Sequence, residues 1–178
     1  MTTFAIRQYG DPVLAQATRE IEEIDGRVAK LAEEMLETMY DAPGVGLAAN
    51  QVGETLRLFV YDVGDGPVVV VNPRIIESSG EWTYQEGCLS VPGLSWPIVR
   101  PGWIHLVGLD LDGNELSIEA DELEARVFQH EMDHLDGVLL LERLDDDQRR
   151  EANEILRIRA QELADREPDG ASAPGPDE

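Results

Sequence analysis

Apolar residues recur at helical spacing after Asp25. Val28, Leu31, Ala32, Met35 and Met39 fall on one side, and Glu33, Glu34 and Glu37 are left to solvent. Asp25 is placed to cap this helix, which the pattern carries to about Tyr40 before Ala42-Pro43-Gly44 stops it. Residues 44–53 are small and glycine-rich, with little to pack. The period then shortens. Residues 56–62 and 67–72 read as buried strands joined through Gly64-Asp65-Gly66, and 75–79 and 81–84 as weaker strands around Gly80. Residues 103–110 and 115–119 form a hairpin around Asp112-Gly113-Asn114.

A second helix opens at Asp121, with Glu124 three residues on as a carboxylate version of the capping box. It ends near Leu135-Asp136, where Gly137 suits the left-handed position beyond a helix. A third helix is expected over about 145–166, with Asp145, Asp146 and Asp147 at its positive end. Ala152, Ile155, Leu156 and Leu163 give it one apolar side. Residues 168–178, rich in Pro, Gly, Ala and acid, are expected to be disordered. A helix, several strands and then helices, without regular alternation, predict an α+β fold with mostly antiparallel sheets around the middle helix. The expected organisation is a single catalytic domain over 1–166 and a tail over 167–178.

Composition and charge narrow the possibilities. Among 178 residues, 42% hydrophobic and 29% charged is an ordinary globular mixture. A net charge of -23 argues against direct nucleic-acid binding, which needs a basic face. The longest apolar run, Pro67 to Val71, is strand-sized, so no membrane span is expected. The first residues lack the features of a secretion signal or transit peptide, and cytoplasmic residence is the expectation. Cys88 is the single cysteine, so no intrachain disulfide can form, and soft metal ligands are limited to it and to His105, His130 and His134.

His130-Glu131-Met132-Asp133-His134 is an HExxH motif within the predicted middle helix. Spacing of four places the two imidazoles about 40° apart around the axis, within reach of one ion. Two histidines do not complete a site, and Cys88 is the thiol available as third ligand. It lies in Glu86-Gly87-Cys88-Leu89-Ser90, which with Val91-Pro92-Gly93 reads as a loop; a buried inert cysteine is the competing reading. His105, between Ile104 and Leu106, reads as a satisfied strand histidine rather than a fourth ligand. Three ligands leave a catalytic rather than a structural site. A divalent metal lowers the pKa of water toward 7, and Glu131 is placed to take that water's proton and pass it to a leaving amine. Gln51 is a candidate donor to the oxyanion that forms when water attacks a carbonyl, although a surface loop glutamine would read the same way.

Together, Gly44-Val45-Gly46-Leu47-Ala48-Ala49-Asn50-Gln51, Glu86-Gly87-Cys88-Leu89-Ser90 and Gln129-His130-Glu131-Met132-Asp133-His134-Leu135 resemble the three motifs of the peptide deformylase family, in its shorter bacterial form with a C-terminal helix. The resemblance runs from about Phe4 to Arg166. It implies removal of the formyl group from N-terminal formylmethionine of newly made polypeptides, with release of formate. By position it makes Cys88, His130 and His134 the metal ligands and Glu131 the general acid/base. The Gln51 side-chain amide and the Leu89 backbone N–H become the oxyanion donors. Val45, Gly46 and Gly87 become backbone partners of an extended peptide. It implies ferrous iron as the metal, and zinc fits the same ligands. It also implies that Glu86 and Arg100 pair to brace the cysteine segment, a surface ion pair being the plainer reading, and Asp133 reads either as an acceptor for a ligand imidazole or as part of the helix end. The final helix resembles one associated with ribosome docking through a basic face. Here Arg149, Arg150, Arg157 and Arg159 alternate with Asp145 to Asp147, Glu151, Glu154 and Glu162, which counts against docking by this helix. Two rival readings stand beside this one: an HExxH peptidase acting on internal peptide bonds, and a binding protein of the same fold without turnover.

Overall fold

The computed structural model describes residues 2–166, and among them the chain forms seven strands and three α-helices. Helix α1 (Gly26–Asp41) begins where Asp25 Oδ1 accepts the N–H groups of Arg27 and Val28 at 3.0 and 3.1 Å. That satisfies two of the donors a first turn leaves open. The five residues placed inward by spacing are all buried; Glu33 is exposed, and Glu34 and Glu37 are half-buried.

Strands β1 (Gly46–Ala48), β2 (Leu58–Tyr61), β3 (Val68–Ser79), β6 (Trp103–Leu109) and β7 (Glu115–Asp121) form one antiparallel sheet in the order β1-β2-β3-β6-β7. Strands β4 (Trp82–Cys88) and β5 (Val91–Arg100) form a separate antiparallel pair. Helix α2 (Glu122–Leu135) lies against the larger sheet. The unbroken apolar run of β2 follows from its position between two cores. Leu58 and Val60 enter the core built with α1, whereas Phe59 and Tyr61 point to the α2 side. There Phe59, Tyr61 and Phe128 make a ring cluster with centroids 5.1 to 6.1 Å apart. The fold is α+β, as the order of elements predicts.

The structure departs from the sequence pattern in four places. Residues 67–72 and 75–79 belong to one strand, β3, with irregular register between Val71 and Arg74 and between Ile75 and Glu77. Pro73 cannot donate to a ladder, and Asn72 takes a left-handed φ of 50° at the irregularity. Asn72 also exchanges hydrogen bonds of 2.8 and 2.9 Å with Ile21, pinning the segment before α1. Cys88 lies at the end of a strand rather than in a loop. Pro92, Gly93 and Pro97 mask β5, where Trp96, Ile98 and Arg100 nevertheless alternate as buried residues. The prolines are tolerated because a two-stranded pair leaves each strand an open edge. Residues 47–52 are buried in the core, contrary to the expectation of little to pack. Asp121 makes no side-chain cap, and Glu124 instead accepts the Tyr61 hydroxyl at 2.9 Å.

Compact packing divides the chain after Arg143. The second unit carries α3 (Asp146–Arg166), opened by a reciprocal box in which Asp145 Oδ1 accepts Gln148 N at 2.8 Å and Gln148 Oε1 accepts Asp145 N at 3.0 Å. Of its expected apolar side, Ala152 is buried, Ile155 and Leu156 are half-buried and Leu163 is exposed. Arg150 pairs with Asp147, and Arg157 pairs with Glu154 at 2.8 Å, so acid one turn away offsets both cations. The tail expected over 168–178 lies outside the described residues. No described helix is long and apolar enough to cross a membrane.

Candidate metal centre

Helix α2 presents Arg126, His130 and His134 at spacings of four, hence on one side. Strand β4 brings Cys88 to that side. The Cys88 Sγ lies 3.2 Å from His134 Nε2, which lies 3.2 Å from His130 Nε2, and the three ligand atoms fall within 4.8 Å of one another. Two nitrogens bound tetrahedrally at about 2.05 Å would stand about 3.3 Å apart, so the spacing suits one ion. The donor chemistry fits as well. Burial alone would push the Cys88 thiol up, but the imidazoles of His134 and His130 outweigh it and hold the pKa well below its ordinary value. The thiolate, which is the ligating form, is thereby favoured. His105 lies elsewhere, on β6, with its Nε2 at 2.7 Å from Ser117 Oγ.

Glu86 orients the first imidazole. Its Oε1 stands 2.7 Å from His130 Nδ1, which fixes the proton there and leaves Nε2 with its lone pair. The same carboxylate receives Arg100 through Nε at 3.0 Å and Nη2 at 2.7 Å, and Arg126 Nη1 at 3.0 Å. Glu86, Arg100 and Arg126 are all buried. Burial alone would raise the Glu86 carboxyl, yet the bonds from His130 and Arg100 prevail and hold it at about 2. This is a buried network, not a surface ion pair. Asp133 takes a different role from either expected one: it accepts Arg100 Nη1 at 2.7 Å and a bidentate pair from Arg143 at 2.7 and 2.9 Å. Its oxygens are taken by these two arginines rather than by an imidazole. Arg126 went unnoticed in the sequence, although its place four residues before His130 was the available signal. Replacing Glu86 by alanine would leave buried Arg126 without a carboxylate and buried Arg100 with Asp133 alone. Urea denaturation of metal-free Glu86→Ala is expected to show a loss of about 3–5 kcal/mol; a loss under about 1 kcal/mol would contradict the network's role.

Glu131 is buried beside His130, and its Oε2 has no hydrogen-bond partner. Burial pushes its carboxyl above the ordinary range, although the imidazoles of His130 and His134 work against the rise. Gly46 permits this placement, because a Cβ there would stand 2.6 Å from Glu131 Oε1. Gln51, fully buried in the 3-10 turn Ala49–Val52, is not a surface residue. Its Oε1 accepts Ala48 N at 3.0 Å, so the amide nitrogen must face the other way, 3.2 Å from Ser90 Oγ and 3.8 Å from Cys88 Sγ.

A cleft of about 440 Å³ opens onto these groups. Val45, Gly46, Gln51, Gly87, Leu89 and Glu131 are among the residues that line it. Two sheet edges flank it: β1 is terminal in the large sheet, and β4 pairs with β5 alone. All sequence-predicted site residues except His134 therefore border a single cleft.

A family model described as polypeptide deformylase matches residues 3–150. Curated peptide deformylases of Clostridium botulinum and Dictyoglomus thermophilum are each 52% identical over 138 residues, spanning 78% of this chain and 94% and 90% of their own. Among solved structures, the peptide deformylase of Thermus thermophilus superposes with a TM-score of 0.84 at 44% identity, covering 91% of this chain and 99% of that one. The enzyme of Ehrlichia chaffeensis in complex with actinonin gives 0.85 at 38%, covering 89% and 98%.

Proposed function

The chain belongs to the peptide deformylase family, a family of hydrolases, and on that premise we propose that it removes the formyl group from N-terminal formylmethionine of newly made polypeptides in the cytoplasm. The observation that carries this reading is one thiol and two imidazoles gathered within 4.8 Å beside a buried carboxylate that has a free oxygen.

Cys88, His130 and His134 would hold one divalent ion, ferrous iron by family resemblance, with zinc suited to the same donors. When bound, the ion supplies a Lewis acid that makes water a usable nucleophile near neutral pH and polarises a carbonyl. Glu131 Oε2 takes the proton of the attacking water and returns it to the departing amine, leaving formate and a free N-terminus. The Gln51 Nε2 amide and the Leu89 N–H donate to the oxyanion that develops at the formyl oxygen. Ala48 N already fixes which end of the Gln51 amide faces the site, so its Nε2 is on the donor side before charge develops. Val45, Gly46 and Gly87 hold the peptide as an added strand along the edges of β1 and β4, with backbone groups rather than side chains setting register. Docking on the ribosome through α3 is not part of this reading, since acidic neighbours offset its arginines.

Formate release separates this function from its rivals. The metal-loaded enzyme is expected to liberate formate from formyl-Met peptides and to leave acetyl-Met and unblocked peptides intact. Cleavage of internal peptide bonds would mark a general metallopeptidase, and absence of any turnover would mark a binding protein.

A further inference from the structure

Ser90 lies two residues past the proposed thiolate ligand and is only 3% exposed, yet the chemistry assigned to Cys88, Glu131 and Gln51 makes no use of it. All three of its polar groups are engaged. Its N–H donates to Cys88 Sγ at 3.4 Å, its Oγ accepts Gln51 Nε2 at 3.2 Å, and its main-chain oxygen accepts the N–H of Tyr9 at 2.9 Å. The Gln51 main-chain oxygen is held from the same N-terminal segment, by Arg7 N at 2.7 Å. The turn that carries Gln51 and the turn after Cys88 are thus tied to a common strap, and the Gln51–Ser90 side-chain bond joins them directly.

That side-chain bond decides how the amide is used. A primary amide has an acceptor oxygen and two N–H donors. Ala48 N donates to the oxygen at 3.0 Å, and Ser90 Oγ takes one of the N–H groups. The nitrogen also faces Cys88 Sγ, 3.8 Å away, so its second N–H is on the side of the proposed metal centre. Ala48 by itself would fix which end of the amide faces the site and leave the plane free to rock about that one bond. A second anchor on the nitrogen stops the rocking. Aim matters here, because a hydrogen bond weakens steeply as it departs from linearity.

We infer that Ser90 is a positioning residue for the oxyanion donor: its hydroxyl takes one proton of the Gln51 amide and thereby aims the other at the charge that develops on the formyl oxygen. The Ser90 N–H on Cys88 Sγ keeps that hydroxyl in step with the ligand thiolate, so one residue sets the donor relative to the metal site. This inference rests on the proposed role of Gln51.

Ser90→Ala removes the hydroxyl and keeps the N–H on sulfur. The zinc-loaded variant is expected to lose about 10- to 100-fold in kcat for formate release, with KM and zinc affinity little changed. In a Gln51→Ala background the same substitution is expected to cost almost nothing, because the group it positions is gone. A merely structural serine would cost as much there as in wild type. Side-chain ¹⁵N–¹H spectra of the metal-free protein give a readout free of turnover: one Gln51 amide proton should exchange slowly in wild type and lose that protection in Ser90→Ala. Unchanged kcat in folded Ser90→Ala, equal losses in the two backgrounds, or rapid exchange of both Gln51 amide protons in wild type would overturn the inference. The wild-type spectrum decides even if Ser90→Ala does not fold. If wild type releases no formate while that proton is protected, it is the proposed function that fails, and the inference falls with it.

Discussion

Glu131→Gln is expected to lose about 10²–10⁴-fold in the rate of formate release while keeping its metal. The substitution conserves shape and removes only the capacity to accept and return a proton. Glu131 has the properties that this shuttle requires: it is buried, its Oε2 is free, and burial raises its carboxyl pKa toward the range where both transfers are easy. Metal retention follows because Glu131 stands outside the proposed donor set of Cys88, His130 and His134. Removing a buried carboxylate should leave folding stability unchanged or raise it, so loss of activity cannot be ascribed to unfolding. Single-turnover formate release alongside metal analysis would check this. Turnover within about threefold of wild type would remove Glu131 from the mechanism.

Cys88→Ala is expected to act the other way round, abolishing activity by abolishing the site. Two imidazoles from one helix remain, but the ligand with formal negative charge is gone. The loss in metal affinity should exceed the about 10- to 100-fold that loss of a supporting residue costs. Melting of the metal-free protein should change little, because Cys88 is only partly buried and alanine leaves a small void. Activity should not return when metal is added in modest excess. A variant that still binds metal with wild-type affinity would show that the thiol is not a ligand.

Helix faces are written locally in this sequence, whereas strand pairing and buried networks are not. The burial of α1 and the placement of His130 and His134 on one side of α2 follow from helical periodicity. Asp133 is different: three residues beyond His130 it stands on a neighbouring part of the helix face, and only contacts with Arg100 and Arg143 from other elements reveal its role. Strand β5 was hidden because Pro92, Gly93 and Pro97 interrupt the alternation that a strand is recognised by, and only pairing with β4 makes the edge position evident. The burial of Gln51 and Asn50 was equally illegible: a run of small residues looks loosely packed until α2 closes over it. Glu86 is the instructive residue. Its partners Arg100, Arg126 and His130 come from two different elements, so no window of sequence contains the network.

X-ray absorption at the metal edge of the zinc-loaded protein tests the central claim most directly. One sulfur at about 2.3 Å, two imidazole nitrogens at about 2.0–2.1 Å and a remaining light-atom ligand are expected. A first shell without sulfur would contradict it.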